Sequence, residues 1–177
     1  LSLVGSEMYI RDSYPGDKEA VLTNPTLNLQ TGYAGTFEFS VPPNNPLYDK
    51  IKNRSSMVSV FRDTTELFYG EVRKQPKVDR YRNKNVYCAG AMSFLADSIQ
   101  PQAEYHDMTP RQMLETFLDI HNNQVEDRKK IYLGKVTITD ANDSLYRYTN
   151  FENTLKAIRE KLVEKLGGYL KLRHEND

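Results

Sequence analysis

Strict alternation of apolar and polar positions fills much of the first half of the chain, and a helical spacing replaces it in the second. The clearest case is Val58–Val72, "VSVFRDTTELFYGEV". Val58, Val60 and Arg62 share one face of a strand and Met57, Ser59 and Phe61 the other. Leu67, Tyr69 and Glu71 likewise alternate with Phe68, Gly70 and Val72. Successive strand side chains point to opposite faces, so each strand has a face fit for burial. Asp63-Thr64-Thr65-Glu66 predicts the polar turn between them, built around a type I bend. Gly70 inside a strand predicts a bulge or the close approach of another backbone. An isolated hairpin is at best marginal in water, so other strands must pack on it.

The same logic predicts strands at Glu7–Ile10, from Ala20–Val21–Leu22 until Asn24-Pro25 closes it, and at Thr36–Val41, where Phe37 and Phe39 oppose Glu38 and Ser40. Tyr14–Asp17 reads as a turn. Pro42–Pro46 ends a strand, and Leu47–Lys52 predicts one or two helical turns with Asn45 as cap and Pro46 at the first helical position. A further hairpin is expected from Lys77–Tyr81 and Val86–Ala91 around Arg82–Asn85. Beyond Ile99 the pattern changes. Gln100–Asp107 has no period and reads as a connector. Thr109 as cap, Pro110 at the first position and Gln112 three residues after the cap mark a helix start. Met113, Leu114, Phe117, Leu118 and His121 continue it to Asn122-Asn123. Ile131–Thr139 alternates as a strand. Glu152–Leu166 predicts a second helix with Leu155, Ile158, Leu162, Val163 and Leu166 as its stripe. Gly167-Gly168 stops it in the left-handed region, and Tyr169–Arg173 alternates again. The expected fold class is α+β, with a β-barrel-like domain over 1–98 and a small α/β domain over 99–177, truncated at its C-terminus.

Composition narrows the function. The 177 residues are enough for a core without metal or disulfide. Lys plus Arg equals Asp plus Glu at 24 each, which argues against a general nucleic-acid binder. The basic runs Arg80–Lys84 and Arg128–Lys130 read as solvated loops. Cys88 is the single cysteine, so no internal disulfide or thiolate zinc cluster is possible. No apolar run approaches the roughly 20 residues that span a bilayer, and no signal peptide is visible. Tyrosine is abundant at 12 and tryptophan absent, a balance that suits half-buried strands and wet interfaces.

Motifs for chemistry are missing. His106, His121 and His174 lie too far apart in sequence for a zinc pattern, and His121 reads as a packing or helix-end residue. Asp140-Ala141-Asn142-Asp143 lacks the glycine and distal glutamate of a calcium loop. Nucleophile-elbow, phosphate-loop and dinucleotide patterns do not occur. Ser55, Ser56 and Ser93 have no base identifiable beside them. The sites singled out are structural: Gly70, Thr109, Pro110, Gly167 and Gly168. No catalytic, metal or cofactor site is expected.

The segments "PLYDKIKNRSSMVSVFRDTTELFYGEV", "NVYCAGAMSFLADSIQP", "FLDIHNNQVEDRKKIYLGKVTITDAND" and "LKAIREKLVEKLGGYLKLRHE" follow in this order. Together they resemble the N-terminal region of tail proteins of phages and prophages of Gram-positive bacteria, the prophage endopeptidase tail family of tail-associated lysins and tail-tip hub proteins. Asp97-Ser98-Ile99-Gln100-Pro101, His121-Asn122 with Gln124-Val125, and Leu166-Gly167-Gly168-Tyr169-Leu170 are its most specific elements, and the likeness covers about 35–177. The resemblance implies a baseplate-hub-like fold and a homotrimeric ring at the virion tail tip, assembled in the bacterial cytoplasm. It implies partners among the tube or distal tail ring proteins; that neither nucleic acid nor a membrane is expected rests on the balanced charge and the lack of a spanning apolar run. Any hydrolase would lie in a later region of such a protein, so no enzyme is expected here. Two alternatives stand beside it: a cell-wall endopeptidase or glycosidase, and a carbohydrate- or receptor-binding module using exposed tyrosines.

Overall fold

The computed structural model describes residues 2–4, 7–10, 21–140 and 146–174, the first two stretches as backbone strands alone. The turn expected at Tyr14–Asp17, Ala20 and most of the Asp140–Asp143 loop lie outside them. The protein is mixed α and β, and it divides into two compact units, Leu1–Ala91 with Leu172–Asp177, and Met92–Lys171.

The first unit is a curled, largely antiparallel sheet, a half-barrel rather than a closed one. Its strands are β1 (Ser2–Val4), β2 (Glu7–Ile10), β3 (Thr23–Asn28), β4 (Thr36–Val41), β5 (Met57–Arg62), β6 (Thr65–Val72), β7 (Lys77–Val78) and β8 (Lys84–Gly90). They lie in the order β1-β2-β5-β6-β8-β4-β3, with β7 also paired to β8. Among the described residues only β2 and β5 pair in parallel. Alternation places Phe37, Phe39, Val41, Val58, Phe68, Val72, Val86 and Cys88 on the concave core with Leu47 and Ile51. Met57 and Ser59 on the other face of β5 are also buried, so that strand is covered on both sides.

Several local expectations change. The β5–β6 turn is only Asp63-Thr64, because Arg62 pairs with Thr65 and Asp63 takes a φ of 55°. The bulge falls near Leu67, where Phe61 pairs with Glu66 but Val60 with Phe68. Gly70 instead permits the close approach of a neighbour: a Cβ there would lie 2.3 Å from the Ala89 carbonyl oxygen, and one on the opposing Gly90 would lie 1.8 Å from that of Ala34. Strand β3 runs through Pro25 rather than ending there. It is the last strand of the sheet, where a missing N–H is tolerated, and Asn24 at φ 53° forms a bulge between the Thr23 and Thr26 pairs. Leu47–Lys52 forms successive turns bonded three residues back instead of a helix. Asn45 accepts from the Leu47 amide at 2.9 Å and donates to the Val21 carbonyl at 3.1 Å. Strand β7 stops at Val78 because the Asp79 carboxylate accepts from the Tyr81 and Asn83 amides and curls the chain. Burial pushes the Cys88 thiol up, leaving it an inert core group.

The second unit contains a 3-10 helix that enters it over Ala91–Asp97, β9 (Ala103–Tyr105), α1 (Pro110–Asn122), a 3-10 turn at Asp127–Lys129, β10 (Arg147–Thr149), α2 (Thr154–Ile158) and α3 (Glu164–Leu166). The stretch expected to be a connector supplies β9, which pairs antiparallel with β10. The helix expected over Glu152–Leu166 starts at Asn153, whose side chain caps the Lys156 amide, and passes through a π turn at Arg159–Val163 before α3. Tyr169–Arg173 keeps its alternating burial, and Ile131–Thr139 alternates on either side of the exposed pair Gly134-Lys135, where the inward face changes parity, but neither joins a ladder among the described residues. A period of two specifies a face to bury, not a hydrogen-bonded neighbour. The side-chain amide of Asn122 takes both backbone groups of Ile131, at 2.8 and 2.9 Å.

The glycine pair predicts a clear contrast. Gly90→Ala should destabilise by about 2–4 kcal/mol, because backbone must move. Gly134→Ala, with no atom within 4 Å of its added Cβ, should change stability by less than about 1 kcal/mol. Urea unfolding of the two variants measures this, and equal midpoints would refute the close-approach account.

Candidate functional site

The second unit buries an unusual set of polar side chains: Ser98, Gln100, His121, Lys129, Arg147, Thr149 and Thr154. Four of them form one chain. Ser98 Oγ lies 2.6 Å from His121 Nδ1 and 2.6 Å from Thr154 Oγ1. Gln100 Nε2 donates to Thr154 Oγ1 at 2.7 Å and to the Phe117 carbonyl at 3.1 Å. His121 Nε2 lies 3.1 Å from the Lys129 carbonyl oxygen.

These partners fix the direction of every proton. A carbonyl can only accept, so Nε2 carries the hydrogen. Burial lowers the His121 pKa, although the Lys129 carbonyl and the Asp97 carboxylate oppose the shift, so the ring is neutral and Nδ1 is an acceptor. Ser98 then donates to Nδ1 and accepts from Thr154, which accepts from Gln100. Each group donates to the next in the order Gln100, Thr154, Ser98, His121, and the Lys129 carbonyl accepts at the end. Reversing the Gln100 amide would set its oxygen against the Phe117 carbonyl, so its orientation is fixed too; its Oε1 meets no donor among the described residues.

The local sequence explains why these groups converge. Thr109 caps α1 through a capping box with Gln112 and Pro110 sits in the first turn. Met113, Phe117, Leu118 and His121 then fall on the buried stripe. Past the helix, the Gln124 side-chain amide bonds both the N–H and the C=O of Ile99, at 2.9 and 2.7 Å. The backbone of the same segment bridges Asn153, with the Thr154 amide donating to the Ser98 carbonyl and the Gln100 amide to the Glu152 carbonyl. Thr149 Oγ1 donates to the Pro101 carbonyl at 2.5 Å. Asp97–Pro101 is thereby held along its whole length. Lys129 is buried rather than solvated, 3.2 Å from Asp97 and 5.7 Å from the Phe94 ring centroid.

A serine within hydrogen-bond reach of a histidine is the first geometric requirement of an activated nucleophile. The rest of this pair points elsewhere. Ser98 is 1% exposed and His121 0%, and the second ring nitrogen is tied to a backbone carbonyl instead of a carboxylate. The arrangement orders three segments of chain and presents no group to solvent.

The other residues named from sequence lie apart. Gly167 and Gly168 take φ of 80° and 91° after α3, and the Gly167 amide donates to the Val163 carbonyl at 2.9 Å. His174 stacks on Tyr69 with centroids 3.5 Å apart and approaches Glu66 to 2.9 Å. His106 lies 3.6 Å from Glu104. Ser56 accepts from the Lys52 amide, and Ser93 sits in the 3-10 helix. Among the described residues no group of three or more His, Cys, Asp or Glu could hold a metal ion, and no helix is long and apolar enough to cross a membrane. Sequence reasoning missed Ser98, Gln100 and Thr154 as a set. No protein-family model matches the chain, and a search of curated proteins finds no match.

Two outcomes follow from the donor chain. Ser98→Ala strands Nδ1 of His121 and the Thr154 hydroxyl, and should cost about 1–3 kcal/mol in urea unfolding; a neutral result would count against a fully desolvated chain. Unfolded, His121 takes up its proton near 6.5; folded, only at lower pH. Below 6.5 the unfolded state therefore binds more protons, and stability falls as pH drops from 6.5 towards the depressed folded value and levels off below it, by at most about 1.4 kcal/mol per pH unit in between. Comparing urea midpoints at pH 7.5 and 5.5, the native protein should lose more than His121→Gln does. Identical losses would show that His121 titrates normally.

Proposed function

We propose that this chain is a structural component of a phage or prophage tail tip, a baseplate-hub-like piece linking the tail tube or distal tail ring to the host-facing device. It works as a homotrimeric ring and carries no reactive centre of its own. One observation carries the reading. Two of the three segments on which the family resemblance rests, Asp97–Pro101 and His121–Val125, meet in a single hydrogen-bonded frame. The residues that distinguish this sequence are thus employed in holding its architecture, as a scaffold requires. An open half-barrel also leaves a sheet edge at β1 that needs pairing or cover, β3 at the other end being blunted by Pro25 and the Asn24 bulge, and a closed ring of copies supplies neighbours through a heterologous interface.

The rival reading is a cell-wall hydrolase, and its best candidate is the Ser98–His121 pair. Its lack of exposure argues against that. Incubation with purified peptidoglycan should release no new amino or reducing ends; release abolished by Ser98→Ala would establish the rival. Light scattering and electron microscopy of assembled tails test the hub directly. Three copies at the tail tip are expected, and tails that lack the protein would overturn the proposal.

A further inference from the structure

The donor order set by a neutral His121 cannot survive a proton on Nδ1. Ser98 Oγ lies 2.6 Å from that nitrogen, too close for two hydrogens to face one another. Ser98 cannot retreat. Its carbonyl accepts from the Thr154 amide at 3.0 Å, and the Gln124 side chain grips both backbone groups of Ile99 beside it. The Gln100 backbone is held in the same way, its amide donating to the Glu152 carbonyl at 2.9 Å. The parts left to turn are the two hydroxyls and the Gln100 side-chain amide.

Each has somewhere to turn. With Nδ1 as donor, Ser98 accepts from it and directs its own hydrogen to Thr154 Oγ1, also 2.6 Å away. Thr154 then needs an acceptor, and Gln100 presents it with a donor, Nε2 at 2.7 Å. Half a turn of that amide puts Oε1 there instead. Oε1 has no bond to lose among the described residues, although Gln100 is fully buried. What the rotation gives up is the bond from Nε2 to the Phe117 carbonyl, 3.1 Å away in the body of α1. The other end of the chain is unaffected, because His121 Nε2 donates to the Lys129 carbonyl in both protonation states.

We propose that Gln100, Thr154, Ser98 and His121 form a pH-sensitive switch, in which a proton on His121 reverses both hydroxyls and releases the Gln100 side chain from α1. One proton arrives from solvent and bonds Nδ1. Within the chain only rotations occur, and no other N–H or O–H bond breaks. The charged groups around the ring are the Asp97 carboxylate at the end of the 3-10 helix, the Lys129 ammonium 3.2 Å from it, and Glu126, 3.6 Å from Lys129. From α2 comes the uncharged Thr154 hydroxyl. Asp97 favours an imidazolium and burial opposes it, so the folded ring is neutral at pH 7 and charges at lower pH. Because the four side chains are linked in series, a proton at one end is felt at α1 two side chains beyond Ser98. The inference stands independently of the tail-tip reading.

Proton–nitrogen spectra of the 177-residue chain, recorded from pH 7.5 downward, follow the His121 ring and the Gln100 side-chain amide together. The two should titrate with one midpoint, and the Gln100 amide hydrogens should exchange with water at least about tenfold faster in the acid form. Thr154→Val keeps the side-chain shape and removes the hydroxyl that joins the two halves. In that variant His121 should still titrate while the Gln100 signals stay in place. Gln100 signals that stay fixed in the native chain while His121 titrates overturn the proposal, and that result does not depend on the variant folding. Gln100 shifts that persist in Thr154→Val overturn it as well, as does global unfolding before His121 takes its proton.

Discussion

The second unit depends on a chain of buried hydrogen bonds that has only one self-consistent direction. It begins at the Gln100 amide and ends at the Lys129 carbonyl, passing through Thr154, Ser98 and a neutral His121. Ser98 and His121 are 23 residues apart in sequence and Ser98 and Thr154 are 56 apart. The links therefore join the exit of a 3-10 helix, the last turn of α1 and the first residue of α2. Buried polar groups are costly unless paired, and in a low-dielectric interior a missing member leaves its neighbours unpaired as well. The network thus specifies one arrangement of these segments more sharply than apolar packing would.

The first unit obeys a different constraint. Its aromatic and aliphatic core is organised by alternation, the backbone closeness of β6 and β8 rests on Gly70 against the Ala89 carbonyl, and Gly90 makes the same room for the Ala34 carbonyl. The sheet curls without closing. At its far edge, Pro25 and the Asn24 bulge interrupt the ladder positions of β3, devices that discourage indiscriminate strand addition. A scaffold assembled from copies needs this combination of rigid interior and managed edges, and that physical logic underlies the tail-tip proposal.

What could be read from the sequence was local. The Thr109–Gln112 capping box, the Thr36–Val41 alternation and the glycine stop at Gly167-Gly168 each depend on residues within a few positions of one another. The first two stand as the sequence predicts, and the stop falls where expected with positive φ, although Gly167 is extended at ψ 179° rather than in the left-handed helical conformation. What escaped depended on distant partners. Strands β9 and β10 contribute three residues each and have no apolar rhythm of their own; they exist because they pair. Leu47–Lys52 had the cap and proline of a helix, yet Asn45 is also bound to the Val21 carbonyl, and the segment settles into turns. Lys129 sat in a basic run that looked solvated, and Asp97 draws it inward. The polar chain left no periodic signal, since serine, threonine and glutamine are ordinary surface residues until the fold brings them together.

The whole donor chain turns on the state of one imidazole. Long-range ¹H–¹⁵N correlation of the His121 ring at pH 7 measures it directly. A single neutral tautomer with hydrogen on Nε2 and a bare, accepting Nδ1 is the result required by the donor chain. A protonated Nδ1, or rapid exchange between tautomers as in a solvent-facing histidine, would contradict it.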